Sequence, residues 1–156
     1  MAGPLYPKGI KWPRNVTRID HLPPFDHRRF YNSQQFALNV TRDEMIRAGY
    51  SPSVRLFEAA ACATPVISDY WDGLDSIFEI GREILVARSA AESLRYMKEL
   101  NPDQQERIGR AALNKVLSRH TAADRALELE RYVRNLRYRR AYAGSSIPVS
   151  AGFLAL

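Results

Sequence analysis

Short apolar runs alternate with longer helical patterns through the middle of the chain. Residues 36–40, 65–68 and 84–87 are short, apolar and rich in β-forming side chains, which predicts three buried strands. A helical pattern extends over residues 53–63, 90–100, 103–119 and 122–140. Strands that alternate with helices predict an α/β fold with a parallel sheet, followed by additional C-terminal helices.

The two ends of the chain have different patterns. Five of the nine prolines fall within residues 1–24, which predicts an extended segment with a strand at 16–21. A short helix is expected over residues 25–32, with Asp26 as its N-cap. Residues 141–156 are small, apolar and aperiodic, which predicts a loosely ordered tail. The expected organisation is therefore one partial α/β domain over residues 1–140, followed by this tail.

Composition excludes several classes of protein. The chain has 156 residues and 46% hydrophobic residues, a globular composition for one domain. No apolar run approaches the roughly 18 residues of a membrane helix, and residues 1–11 do not resemble a signal or transit peptide. The single cysteine, Cys62, excludes a disulfide framework and a cysteine-based zinc site. We expect a cytoplasmic protein, either free or peripheral to a membrane.

Positive charge is concentrated near the C-terminus. Residues 1–100 carry 13 Lys+Arg and 12 Asp+Glu, whereas residues 101–156 carry 10 and 5. Five arginines cluster in the last predicted helix: Arg131, Arg134, Arg137, Arg139 and Arg140. Nucleic acid or an anionic membrane surface could bind such a cluster, and a solvated helix face is the alternative.

The stretch over residues 42–58 follows a predicted strand and leads into a helix. Ligands of open α/β sheets bind beyond the carboxyl ends of strands, and the N–H groups of a helix start suit a phosphate. Ser51 and Ser53 add hydroxyl donors, and Arg42 and Arg55 add cations that can bind phosphate oxygens in pairs. The alternative is structural: Ser51 caps the helix, with Pro52 in its first turn, and Arg55 is solvated.

Carboxylates offer two further candidate sites. Glu58 lies within an otherwise apolar helical stretch, where it could accept hydrogen bonds from the vicinal hydroxyls of a ribose or pair with Arg55. Asp69, Asp72 and Asp75 follow the second strand, and they could cap loops and helices or bind a metal. Because no histidine accompanies them, capping is favoured and no metal is expected. The motifs of P-loop ATPases, standard dinucleotide enzymes and serine hydrolases are missing from the sequence.

Residues 51–69, Ser-Pro-Ser-Val-Arg-Leu-Phe-Glu-Ala-Ala-Ala-Cys-Ala-Thr-Pro-Val-Ile-Ser-Asp, carry a family resemblance together with Trp-Asp-Gly-Leu and Gly-Arg-Glu-Ile-Leu-Val-Ala downstream. They resemble the donor-binding half of GT-B glycosyltransferases, and most closely the CgeB-type (spore maturation protein B-like) branch. The resemblance covers roughly residues 3–134. It implies a Rossmann-like domain, a nucleotide-sugar donor as substrate, an unknown acceptor and no cofactor.

The resemblance also implies roles for individual residues. Glu58 matches the second glutamate of a Glu-x7-Glu pair, which in relatives holds the donor ribose. The first glutamate, which in relatives contacts the transferred sugar, is replaced by Tyr50 here. The loop Gly49–Ser53 would lie beside the sugar and pyrophosphate, and Asp69 and Gly73 would flank the pocket. Ala63 stands where relatives usually have glycine. No catalytic residue is assigned.

GT-B enzymes have two Rossmann-like domains, and this chain matches part of one. We therefore expect an N-terminal acceptor domain and the first part of the donor domain to be missing, which would favour self-association through exposed surface. Three hypotheses follow: a glycosyltransferase donor domain, a non-catalytic nucleotide-sugar-binding module, and a basic binder of nucleic acid or membrane surface. Specific nucleic-acid recognition is not expected.

Overall fold

The structure contains a three-stranded parallel sheet. A computed structural model describes residues 1–2 and 9–142, with side chains as far as Tyr138. The strands are β1 (Ala37–Asn39), β2 (Val66–Ser68) and β3 (Leu85–Val86), and they lie side by side in that order. The expected fold class, an α/β fold with a parallel sheet flanked by helices, is confirmed.

The described part of the chain also contains seven helices. A turn of 3-10 helix, Pro24–Asp26, leads into the first of them. They are α1 (His27–Asn32), α2 (Asp43–Ala48), α3 (Val54–Ala61), α4 (Leu74–Ile77), α5 (Ala90–Glu99), α6 (Pro102–Arg119) and α7 (Ala122–Tyr142). The chain divides into two compact units, Met1–Arg119 and His120–Leu156, and the sheet belongs to the first.

Each face of the sheet carries its own apolar cluster. Because side chains alternate along a strand, Val66 of β2 faces one side and Ile67 faces the other. Val66 belongs to the larger cluster, with the buried face of α3 and residues of α6. Ile67 packs with Leu85 and with residues of α5 on the opposite side.

Two strand predictions need correction. The predicted strand at 16–21 is reduced to one bridge, between Ile19 and Ala2. Its half-buried residues Val16 and Ile19 are three positions apart, so they cannot share one face of a strand. The first strand is only half buried, because one face of β1 is open to solvent: Leu38 is 49% exposed, and Val40, which follows the strand, is 79% exposed.

Several helix starts also differ from the predictions. Asp26 occupies the N-cap position of α1, but its side chain makes no capping hydrogen bond. The N-cap of α3 is Ser53, not Ser51, and its side chain makes no capping hydrogen bond either. The short helices α2 and α4 were not predicted. Helix α7 continues to Tyr142, two residues past its predicted end, and residues 143–156 of the predicted tail lie outside the described residues.

Candidate functional site at the carboxyl ends of the strands

Asp69 ties the end of β2 to the loop that follows β1. Its carboxylate accepts hydrogen bonds from the Thr41 backbone N–H, at 2.9 Å to Oδ2, and from the Thr41 hydroxyl, at 2.6 Å to Oδ1. Hydrogen bonds to a carboxylate are among the strong ones in proteins. The bond therefore fixes the loop that carries Arg42, the N-cap of α2, beside the end of β2.

A buried amide supports this connection. Asn39, only 3% exposed, donates from Nδ2 to the hydroxyls of Thr41 (3.2 Å) and Ser68 (3.0 Å). Both hydroxyls in turn donate to Oδ1 of Asp69. Asn39 Oδ1 and Trp71 Nε1 are buried without a hydrogen-bond partner among the described residues. The carboxyl edge of the sheet is thus densely polar.

The loop between α2 and α3 meets the loop that follows β2. The Tyr50 backbone N–H donates to the Asp72 carbonyl oxygen at 2.6 Å. A Cβ added to Gly49, which ends α2 with φ 62°, would lie 3.5 Å from the Asp72 Cβ. The Tyr50 ring lies against Gly73, the N-cap of α4. The structure therefore brings Gly49, Tyr50, Asp69 and Gly73 to one edge of the sheet, together with the loop that carries Arg42.

The remaining predicted phosphate contacts follow Tyr50 along the chain. Ser51 and Ser53 are half-buried, and the Ser53 carbonyl oxygen accepts from the Leu56 N–H at 3.1 Å as α3 begins. Arg42 and Arg55 are exposed. Two exposed guanidinium groups and the unpaired N–H groups of a helix start are suited to bind an anion, because both present positive charge.

Glu58 has partners that the sequence did not reveal. The Tyr31 hydroxyl donates to its Oε2 at 3.2 Å, and His27 Nδ1 lies 3.3 Å from its Oε1. Both partners belong to α1, and they take the place of Arg55, which the sequence left open as an alternative partner. The other nitrogen of His27 lies 3.2 Å from the Leu22 carbonyl oxygen. The Glu58 side chain remains 35% exposed, so its carboxylate is accessible to a ligand.

The contact with Glu58 makes stability depend on Tyr31 at high pH. Burial, followed by the negative charge of Glu58, raises the pKa of Tyr31 from 10.0 to about 12. Because the folded-state pKa is the higher one, this contribution is complete below pH 10 and is lost as pH rises from 10 through 12. We expect the free energy of unfolding to fall by up to roughly 2 kcal/mol across this window in addition to any general alkaline effect.

Urea unfolding at pH 8 and pH 11.5 measures this loss. Tyr31→Phe should be about 1 kcal/mol less stable than the wild type at pH 8, because one hydrogen bond is lost. The stability difference between Tyr31→Phe and the wild type should shrink or reverse at pH 11.5. Between the two pH values, Glu58→Gln should lose less free energy of unfolding than the wild type, because burial still raises the Tyr31 pKa but the carboxylate charge is gone. Parallel curves for the wild type and Tyr31→Phe would contradict the prediction.

The three aspartates after β2 have different surroundings in the structure. Asp69 binds Thr41, whereas Asp72 and Asp75 are exposed. Within the described residues, no group of three His, Cys, Asp or Glu side chains is placed to hold a metal ion.

A shallow groove of about 430 Å³ lies away from the carboxyl edge of the sheet, beside residues 33 and 34, which lead into the amino end of β1.

The basic helix α7 carries its charges on exposed side chains. Among the described arginines, Arg125 pairs with Glu128 at 2.6 Å and Arg134 pairs with Glu130 at 2.6 Å. The side chains of Arg139 and Arg140 lie outside the described residues. No helix within residues 9–142 combines the length and apolar character needed to span a bilayer.

The parallel α/β sheet, with loops gathered at its carboxyl ends, matches a Rossmann-like fold of the GT-B type. The chain belongs to the glycosyl transferase-like family, whose profile matches residues 1–131. Among solved structures, it resembles sucrose-phosphate synthase from Thermosynechococcus elongatus, with a TM-score of 0.62 and 18% identity. The match covers 79% of this chain and 30% of that one, so this chain spans less than a third of its structural relative. No curated protein sequence matches it significantly.

Proposed function

We propose that this chain binds the nucleotide-sugar donor of a glycosyltransferase and transfers the sugar to an acceptor within a two-domain protein. The observation that carries the proposal is the convergence of three loops at the carboxyl edge, through the Thr41–Asp69 and Tyr50–Asp72 hydrogen bonds. Ligands of open α/β sheets bind at this edge. Membership of the glycosyl transferase-like family supports sugar transfer as the reaction class, and assignment to the CgeB-type branch is part of the proposal.

The donor's pyrophosphate would bind at the start of α3. Breaking the bond between sugar and phosphate builds positive charge on the sugar and negative charge on the leaving phosphate. Cations and N–H groups that already point at the phosphate lower the barrier, because they stabilise that charge as it develops. Arg42, Arg55 and the N–H groups that follow Ser53 are the groups that supply this stabilisation in the proposal.

Glu58 would hold the ribose of the donor. An ionised carboxylate offers about four acceptor positions. Tyr31 and His27 occupy one position on each oxygen, which leaves acceptor capacity for two ribose hydroxyls. Both contacts also restrict the rotation of the side chain, so less conformational entropy is lost when a ligand binds.

A non-catalytic nucleotide-sugar-binding module is the second candidate. The observation that favours it is Tyr50, an exposed phenol at the position where the resemblance places a sugar-contacting carboxylate. A transfer assay on the chain joined to an N-terminal acceptor domain separates the two candidates. Transfer of labelled sugar supports the enzyme, and binding without transfer supports the module.

Calorimetric titration with UDP, GDP, UDP-glucose and GDP-mannose tests donor binding. We expect one of the nucleotides to bind and Glu58→Ala to weaken it by about 1–3 kcal/mol, the scale of a lost hydrogen bond to a charged group. Glu106→Ala is the matched control, because Glu106 is an exposed carboxylate that pairs with Arg110 on α6. Wild-type protein that binds none of the four probes, or equal binding by Glu58→Ala, would contradict the proposal.

A further inference from the structure

Helix α7 carries an apolar stripe along one face. Residues three and four positions apart share a face of an α-helix. In α7 this spacing joins four apolar residues: Ala126, Leu129, Val133 and Leu136. Leu129 is 64%, Val133 is 41% and Leu136 is 65% exposed. Alternating steps of three and four residues are the repeat by which two helices pack along a common seam.

The stripe has no cover within the described part of α7. None of the described side chains of this helix is buried, whereas α6 buries four residues: Ile108, Gly109, Ala112 and Val116. Helices in proteins gain most of their stability by packing an apolar face. Contiguous apolar surface left in water is typical of an interaction site. The stripe therefore has the properties of a docking surface.

The stripe is complementary to a reversed copy of itself. When two copies of α7 lie antiparallel about a two-fold axis between Leu129 and Val133, each Leu129 faces the Val133 of the other copy. Each Ala126 then faces the Leu136 of the other copy, so a small side chain lies opposite a large one. Every layer is apolar, and pairing small with large residues lets facing layers interdigitate. A two-fold contact uses one patch on both copies in this way.

The charges of α7 favour the antiparallel orientation. Residues 122–130 carry three carboxylates and one arginine, a net charge of −2, whereas residues 131–138 carry three arginines and no carboxylate, a net charge of +3. An antiparallel pair sets the acidic half against the basic half, and a parallel pair sets like charges side by side. Glu130 borders the stripe near the two-fold axis, and its ion pair with Arg134 at 2.6 Å reduces repulsion between the two copies of this carboxylate.

We propose that this chain forms a homodimer in which the apolar stripe of α7 packs antiparallel against the same stripe of a second copy. A lipid surface or a nucleic acid would match the arginines but would leave the acidic half of the helix facing like charge. A second copy matches both halves and all four layers. The proposal is independent of the proposed function, because α7 lies in the second unit and contains none of the candidate donor-binding residues.

Sedimentation velocity on the full chain tests the dimer. We expect a species of twice the 17.8 kDa of one chain, whose share grows with protein concentration. Leu129→Gln should raise the dissociation constant at least about a hundredfold, because the two-fold axis removes the apolar side chain from two layers. Leu127→Gln is the matched control and should leave the dimer intact. Leu127 is 66% exposed and lies on the opposite face of the same helix.

Disulfide trapping tests the orientation. Leu129→Cys and Val133→Cys are each made in a Cys62→Ser chain, which lacks the single native cysteine. The two variants are mixed under reducing conditions and then oxidised. We expect a disulfide-linked dimer that contains one copy of each variant, because residues 129 and 133 face each other in the antiparallel pair. A parallel pair in register would instead link each variant to itself.

Several results would overturn the proposal. A chain that stays monomeric up to near-millimolar concentration does not make this contact. A dimer that survives Leu129→Gln, or that Leu127→Gln weakens equally, uses another surface. Links within each variant but not between the two would replace the antiparallel pair by a parallel one. A monomer that sediments with vesicles of anionic phospholipid, and not with zwitterionic vesicles, would assign α7 to a membrane surface.

Discussion

Replacing Gly109 with alanine should destabilise the fold by about 3 kcal/mol. Gly109 is buried within α6, and a Cβ there would lie 2.0 Å from the Ala63 carbonyl oxygen and 2.8 Å from its carbonyl carbon. Because these atoms belong to the backbone, α6 would have to move away from the end of α3. Overpacking of this kind costs about 1–3 kcal/mol or more, and it affects the most extensive helix contact of the first unit.

The direction of the effect makes this prediction decisive. Glycine to alanine inside an exposed helix normally stabilises a protein by about 1 kcal/mol, because alanine is the better helix former. Urea unfolding of Gly109→Ala should therefore show a change of the opposite sign. Ser118→Ala, an exposed position on the same helix, is the control and should change stability by less than about 0.5 kcal/mol. Gly109→Ala that is as stable as the wild type would contradict the close approach.

The sheet and its longer helices could be predicted because their signals are local. β1, β2 and β3 each fall inside a predicted strand, and α5 starts and ends within one residue of its prediction. Their apolar residues recur with the period of the element they form. The short helices α2 and α4 lack that signal, because four to six residues span too few turns to show a period.

Contacts between residues far apart in the sequence could not be predicted. The approach of Gly109 to Ala63 crosses 46 positions, and the local pattern of neither segment predicts it. Ala63 adopts φ 55°, which explains the expected glycine at this position, since only glycine adopts this conformation without strain. Glu58 was singled out as a carboxylate that needs a partner, but its partners Tyr31 and His27 depend on how α1 packs against α3.

Strand ends and helix starts, which are visible in the sequence, predicted a site in the loop from Gly49 to Ser53, and the family resemblance added Asp69. The structure places Asp69, Gly49 and Tyr50 at one edge of the sheet. The role of Asn39 was missed. In the sequence, Asn39 is one polar residue in an apolar strand. Only the pairing of β1 with β2 places its amide beside Ser68.

Replacing Asp69 with alanine should cost about 2–3 kcal/mol of folding stability. The change removes the acceptor for the Thr41 N–H and hydroxyl, and it leaves the buried Thr41 without partners for both donors. A buried donor without an acceptor costs about 1–3 kcal/mol, and more when the lost acceptor is charged. Asp69→Asn keeps one acceptor oxygen but turns an NH₂ group toward the Thr41 donors, so we expect an intermediate loss.

A double-mutant cycle with Thr41→Val tests whether the loss arises at this contact. Thermal unfolding of both single variants and the double variant should give a coupling energy above about 1 kcal/mol, because the two residues share one hydrogen-bond network. Asp72→Ala is the matched control, since only the backbone carbonyl of Asp72 holds Tyr50 and its side chain is exposed. Additive effects of the two single changes would show that Asp69 does not fix the loop after β1. Coupling accompanied by weaker nucleotide binding would show that this loop must be fixed for Arg42 to contact the phosphate.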